Sequence, residues 1–188
     1  RSTPFFHFQM QNSGITLVYI VDDDLVPNDG LITAQELEEF LNTKVFNQCI
    51  ATNFHVYQPA NSVAVNYDLN SDGHLQDEPI LEGSEPFLIA DAADAADDDD
   101  YDYIVFVVYS IEGSTYGFAE KPSRYTYVET TGKSAARLKN NIAHELGHAF
   151  GDLDDITVEG QDDDNLMSYY RTSEDCRLRK GQWDTIQP

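Results

Sequence analysis

The chain has 188 residues, 41% hydrophobic and 12% aromatic, enough apolar material for one folded domain, and this excludes global disorder. Eleven Lys and Arg stand against 34 Asp and Glu, a formal charge of −23, so a sequence-independent grip on nucleic acid is excluded. The longest apolar stretch, Ile104 to Tyr109, is strand-sized, well short of the ~18 consecutive apolar residues that a membrane span requires.

In chain order, Gly14 to Asp24 is a β-branched and aromatic run with the profile of a buried strand. Thr33 and Glu36 then have capping-box spacing, and Leu37, Phe40, Leu41 and Val45 recur at helical intervals, predicting a helix to about Cys49. Short strands are expected at Phe54 to Gln58, Ser62 to Tyr67, Tyr116 to Glu120 and Tyr125 to Val128, with a central strand at Ile104 to Ile111. The Asp-rich stretch Asp91 to Asp102 reads as a solvated loop. A second helix is predicted from Ser134 to Phe150, closed by Gly151, and a short terminal helix from Leu178 to Ile186. Cys49 and Cys176 form one long-loop disulfide or sit as two buried thiols.

Within the second helix, His144 and His148 are four residues apart, on one face, where both imidazoles can reach one zinc ion. Glu145 follows the first histidine and is placed to take a proton from a water acidified by that metal. Gly151 lets the chain turn as the helix ends, and Asp154, ten residues after His144, is the oxygen ligand expected from the spacing. Asp152 and Asp155 stand beside it as possible substitutes.

The pattern from His144 to Asp154, H-E-x-x-H-x-x-G-x-x-D, resembles the zinc motif of the metzincin clan of metallopeptidases, and its aspartate version is similar to that of snapalysin-like proteases. Asn165 to Tyr169, with Met167 at its centre, resembles the methionine turn that floors the metal site in that clan. The resemblance implies that Tyr169 stabilises the oxyanion and that Gly117, Phe118 and Ala119 form an edge strand that pairs with an extended substrate. The loop from Ser110 to Tyr116 is too short for the structural ions of matrixins, so the resemblance holds at clan level.

Two further segments suggest calcium. Asp68, Asn70 and Asp72 precede Gly73 as in an EF-hand loop, although Pro79 occupies the twelfth position; around Asp24 and Asp29, Glu36 stands where a twelfth-position ligand belongs. The competing reading for both is an Asx turn whose carboxylates cap backbone donors.

Together these features predict one α/β catalytic domain spanning residues 1–188. Its upper part, to about residue 151, holds a metzincin-like mixed twisted sheet of about five strands, a backing helix and a zinc-binding active-site helix. An irregular C-terminal part, 152–188, closes the cleft. The expected function is a secreted, monomeric zinc endopeptidase acting on protein or peptide substrates. The alternative is a catalytically degenerate zinc- or calcium-binding surface or adhesion module.

Overall fold

The computed structural model describes residues 11–46, 52–94, 102–113, 115–120, 123–157, 164–168, 177–179 and 181–182. The first buried run forms strand β1 (Gln11–Val21), three residues earlier at its start than the sequence pattern suggests. It stops at Val21 because Asp22 and Leu25 exchange backbone hydrogen bonds across a tight turn, with Asp23 in the left-handed region at φ 41°. Helix α1 (Ala34–Phe40) begins with the expected capping box: Glu36 accepts from the Thr33 amide at 2.9 Å, and Thr33 Oγ1 accepts from the Glu36 amide at 3.2 Å. The helix loosens into one π-type turn over Leu41–Val45. Strand β2 (Thr52–Tyr57) then pairs in parallel with β1, so α1 serves as the crossover of a β-α-β unit.

Two expectations change in the next segment. Of Ser62 to Tyr67, only β3 (Val63–Ala64) is strand, paired to the end of β1. The Asp-rich stretch is not loop throughout, because α2 (Glu85–Asp94) runs into it. Ser84 caps this helix by accepting from the Phe87 amide, and Ile89, Ala90 and Ala93 give it a buried stripe that outweighs its carboxylates. Residues 95–101 lie outside the described set.

Strands β4 (Tyr103–Val108), β5 (Gly117–Ala119) and β6 (Tyr125–Glu129) complete a six-stranded sheet ordered β2-β1-β4-β6-β5, with β3 on β1. All pairings are parallel except β5 with β6, which makes β5 an antiparallel edge. Alternation along the strands divides the core. Ile15, Leu17, Val105, Val107 and Val128 face α1 and the long helix α3 (Ala135–Gly151), while Val18, Ile20, Ile104, Phe106 and Tyr127 face α2.

Helix α3 begins at Ser134, whose hydroxyl accepts from the Arg137 amide, and packs Leu138, Ile142 and Leu146 onto the sheet at four-residue intervals. Its end is fixed by Phe150, whose ring meets Phe46, Phe54 and Tyr103 at centroid distances of 5.2, 5.5 and 6.0 Å. Beyond α3 the chain is irregular, held by isolated bridges Ile156–Ser168 and Asn165–Arg177. Of the predicted terminal helix, the described part is a helical turn at Gly181 and Gln182.

Candidate metal centre

The last two turns of α3 carry His144, Glu145 and His148, all buried. Their potential ligand atoms all lie within 4.8 Å of one another, close enough to hold a metal ion. Each imidazole is oriented by a backbone carbonyl. His144 Nδ1 donates to the Leu166 carbonyl at 2.8 Å, and His148 Nδ1 donates to the Leu153 carbonyl at 2.6 Å. A carbonyl can only accept, so each Nδ1 carries a proton and each ring is oriented with its Nε2 toward the site.

Those two nitrogens converge. The Nε2 atoms are 3.3 Å apart, and Asp155 Oδ1 lies 3.1 Å from His144 Nε2 and 3.2 Å from His148 Nε2. Asp155 Oδ1 is buried and has no donor in hydrogen-bonding geometry. Two imidazole nitrogens and a carboxylate oxygen this close together form a donor set that could hold a metal ion. Tetrahedral zinc with bonds near 2.0 to 2.1 Å separates its ligands by roughly 3.3 Å, so the spacing fits such an ion with little adjustment. Direct contact between the imidazoles and the carboxylate also shifts their pKa values. Burial opposes ionisation of Asp155, but the two imidazoles outweigh it and hold the carboxyl well below the usual range; burial likewise depresses His148, and Asp155 and Glu145 more than compensate.

The carboxylate that meets the imidazoles is Asp155, one residue beyond the position that motif spacing gives. Asp154 is exposed and Asp155 turns inward. The left-handed residue is Asp152, at φ 46°, while Gly151 remains the last residue of α3. The Asp152 amide bonds to the His148 carbonyl, the 5→1 bond of an αL ending, and the Leu153 amide bonds to the Gly147 carbonyl. From there the chain is extended and alternates: Leu153 is buried, Asp154 faces water and Asp155 returns to the site. The Ile156 amide, donating to the Met167 carbonyl at 2.8 Å, fixes that path.

Met167 is buried, and an added Cβ on Gly147 would stand 2.7 Å from its sulfur. Gly147, an unspecified position of the motif, thus makes room for the methionine. The turn is set by Asn165, whose side chain accepts from the Met167 amide and exchanges hydrogen bonds with Gln182. Tyr169, Cys49 and Cys176 lie outside the described residues.

Glu145 Oε1 stands 3.9 Å from His144 Nε2. Gly117 at the start of β5 lies against its side chain, so the structure brings the edge strand Gly117, Phe118 and Ala119 to the glutamate.

The Asp-rich segments have other partners. Glu36 is occupied by the capping box, and Asp24 and Asp29 are exposed, so the structure does not gather them as calcium ligands. Asp68 accepts from the Asp72 and Gly73 amides, Asn70 from Asp72, and Asp72 from His74, an Asx-turn arrangement. Buried Glu85 clamps the same loop, accepting from the Leu69 and Gln76 amides.

A solved structure of metalloproteinase-II from Bacteroides fragilis superposes with a TM-score of 0.57 at 14% identity, covering 97% of this chain and 54% of that one. The fold is metalloproteinase-like. The structure of a chaperone-substrate complex also matches, with a TM-score of 0.57 at 12% identity, over 95% of this chain and 33% of that chain. The chain therefore spans about half or less of these neighbours' lengths. No protein-family model and no curated protein matches it. Among the described residues no helix is long and apolar enough to cross a membrane.

Proposed function

We propose that this chain is a zinc-dependent endopeptidase of metzincin type. The observation that carries the reading is the convergence of His144 Nε2, His148 Nε2 and Asp155 Oδ1 at 3.1 to 3.3 Å, with Glu145 beside them and a sheet edge adjoining. These three side chains are the proposed ligands, with Asp155 taking the role that motif spacing gives to Asp154. Zinc held there supplies Lewis acidity, lowering the pKa of a water toward roughly 7 and polarising the substrate carbonyl.

The remaining steps belong to the chain. Glu145 accepts the proton that the attacking water loses, then delivers it to the amine nitrogen as the carbon–nitrogen bond breaks, so each turnover consumes one water and leaves Glu145 ionised. Strand β5 binds the substrate backbone by main-chain pairing, which makes peptide conformation more important than sequence. Leu153 and Leu166 hold the imidazole tautomers. Tyr169 is the proposed oxyanion donor. Secretion, a monomeric state and protein or peptide substrates belong to the same proposal.

A structural calcium ion at Asp68, Asn70 and Asp72 is proposed alongside it. The support is electrostatic. Burial raises the pKa of Glu85 against the opposing pull of the Gln76 and Leu69 amides, the charges of Asp68 and Asp72 add to the rise, and a cation at those aspartates would offset that part.

Zinc content and hydrolysis of an unfolded protein substrate test the enzyme reading. The chain as purified should contain one zinc, lose activity to a zinc-selective chelator and recover it on zinc addition. A zinc-loaded chain that cleaves nothing, with Glu145 intact, favours the degenerate binding module.

A further inference from the structure

Gly117 occupies a place where a side chain is excluded. A Cβ there would stand 2.9 Å from Glu145 Cγ, 3.0 Å from Glu145 Oε1 and 2.8 Å from the Tyr127 carbonyl. The first and third are closer than Cβ atoms approach other heavy atoms, and the second is at that limit. The residue is not a glycine for conformational reasons, since it is absent from the positive-φ glycines Gly73, Gly83, Gly113 and Gly132. Glycine inside a strand otherwise marks a close approach. The strand cannot easily withdraw: Phe118 stacks on Tyr127 at 4.7 Å, the Glu129 amide holds the Tyr116 carbonyl at 3.2 Å, and Gly117 itself is in register with Val128.

Building on the peptidase reading above, we propose that Gly117 is a positioning residue for Glu145: its missing side chain forms the notch that seats the base beside the metal. Strand β5 then has two tasks at adjoining residues, pairing with substrate and fixing the glutamate. A side chain at 117 pushes the carboxylate away from the reacting water without touching His144, His148 or Asp155. Misplacement by about 1 Å is expected to cost about a hundredfold in rate.

The first test needs no activity. Urea unfolding of the metal-free parent, Gly117→Ala, Glu145→Ala and the double variant forms a thermodynamic cycle. Gly117→Ala should shift the unfolding equilibrium about tenfold or more toward the unfolded state in the parent, and markedly less once Glu145 is truncated. An equal shift in both backgrounds assigns the clash to the Tyr127 carbonyl and overturns the proposal. If Gly117→Ala fails to fold, folding of the double variant supports it and failure of both overturns it. The second test uses the zinc-loaded chain. Gly117→Ala should retain zinc and lose about tenfold to a hundredfold in kcat with KM within threefold. A raised KM at unchanged kcat indicates a displaced substrate strand and overturns the positioning role. A parent chain without peptidase activity defeats the functional reading, while the unfolding cycle still decides the packing claim.

Discussion

Replacing the two neighbouring aspartates separately distinguishes the geometry from the motif count. Asp155 Oδ1 already lies 3.1 and 3.2 Å from the two Nε2 atoms, close to the roughly 3.3 Å ligand separation of tetrahedral zinc, so Asp155 needs little rearrangement to bind. For Asp154 to take its place, the chain after Leu153 must rotate. That movement breaks the 2.6 Å bond from His148 Nδ1 to the Leu153 carbonyl and the 2.8 Å bond from the Ile156 amide to the Met167 carbonyl. At about 0.5 to 1.5 kcal/mol each, the two together cost about 1 to 3 kcal/mol, or roughly fivefold to 150-fold in affinity. Asp155→Ala should therefore weaken zinc binding by at least that range even if Asp154 substitutes, and by more if it does not. Asp154→Ala should change the zinc dissociation constant less than twofold. Competition against a chromogenic chelator measures both. Greater zinc loss from Asp154→Ala than from Asp155→Ala would refute the geometric argument and restore the motif spacing.

Other consequences follow from single contacts. Glu145→Ala should retain zinc and lose more than a thousandfold in kcat/KM, measured by metal analysis and peptide hydrolysis; activity within tenfold of the parent removes the glutamate from proton transfer. Gly147→Ala places a Cβ 2.7 Å from Met167 Sδ and should lower stability by about 1 to 3 kcal/mol, a drop of roughly 2 to 12 °C in Tm. An unchanged Tm would mean that Met167 moves aside freely. Burial raises the Glu85 pKa above its usual 4.5, so the folded chain takes up this proton at higher pH than the unfolded chain. The parent should accordingly gain stability relative to Glu85→Gln as pH falls from 7 toward 4.5, and the gain should then level off; a flat or opposite trend in urea unfolding counts against a buried carboxyl. Calcium at ~100 times its dissociation constant should add about 2.7 kcal/mol, with Asp68→Ala abolishing the gain. Sodium chloride of equal ionic strength is the control, because screening alone stabilises a chain of charge −23, and a calcium effect no larger than that control dismisses the site.

The parts legible in the sequence were those governed by local periodicity. The capping box at Thr33, the four-residue spacing of His144 and His148, and the apolar run that became β4 are each set by contacts within a turn or a strand. Helix α2 was missed because its acidic surface dominated the reading, whereas the buried stripe of Ile89, Ala90 and Ala93 decides its conformation. Which carboxylate meets the imidazoles was hidden for a different reason. Counting from His144 fixes which residues are near the metal, but which of Asp154 and Asp155 faces inward depends on the backbone path after the left-handed Asp152. That path is set by the Leu153 and Met167 carbonyls, and the tautomers of both histidines by the Leu153 and Leu166 carbonyls. A carbonyl is present at every residue and so leaves no mark in the sequence. The proposed histidine ligands were visible because that role requires particular side chains; the groups that aim them were hidden because they require only a position.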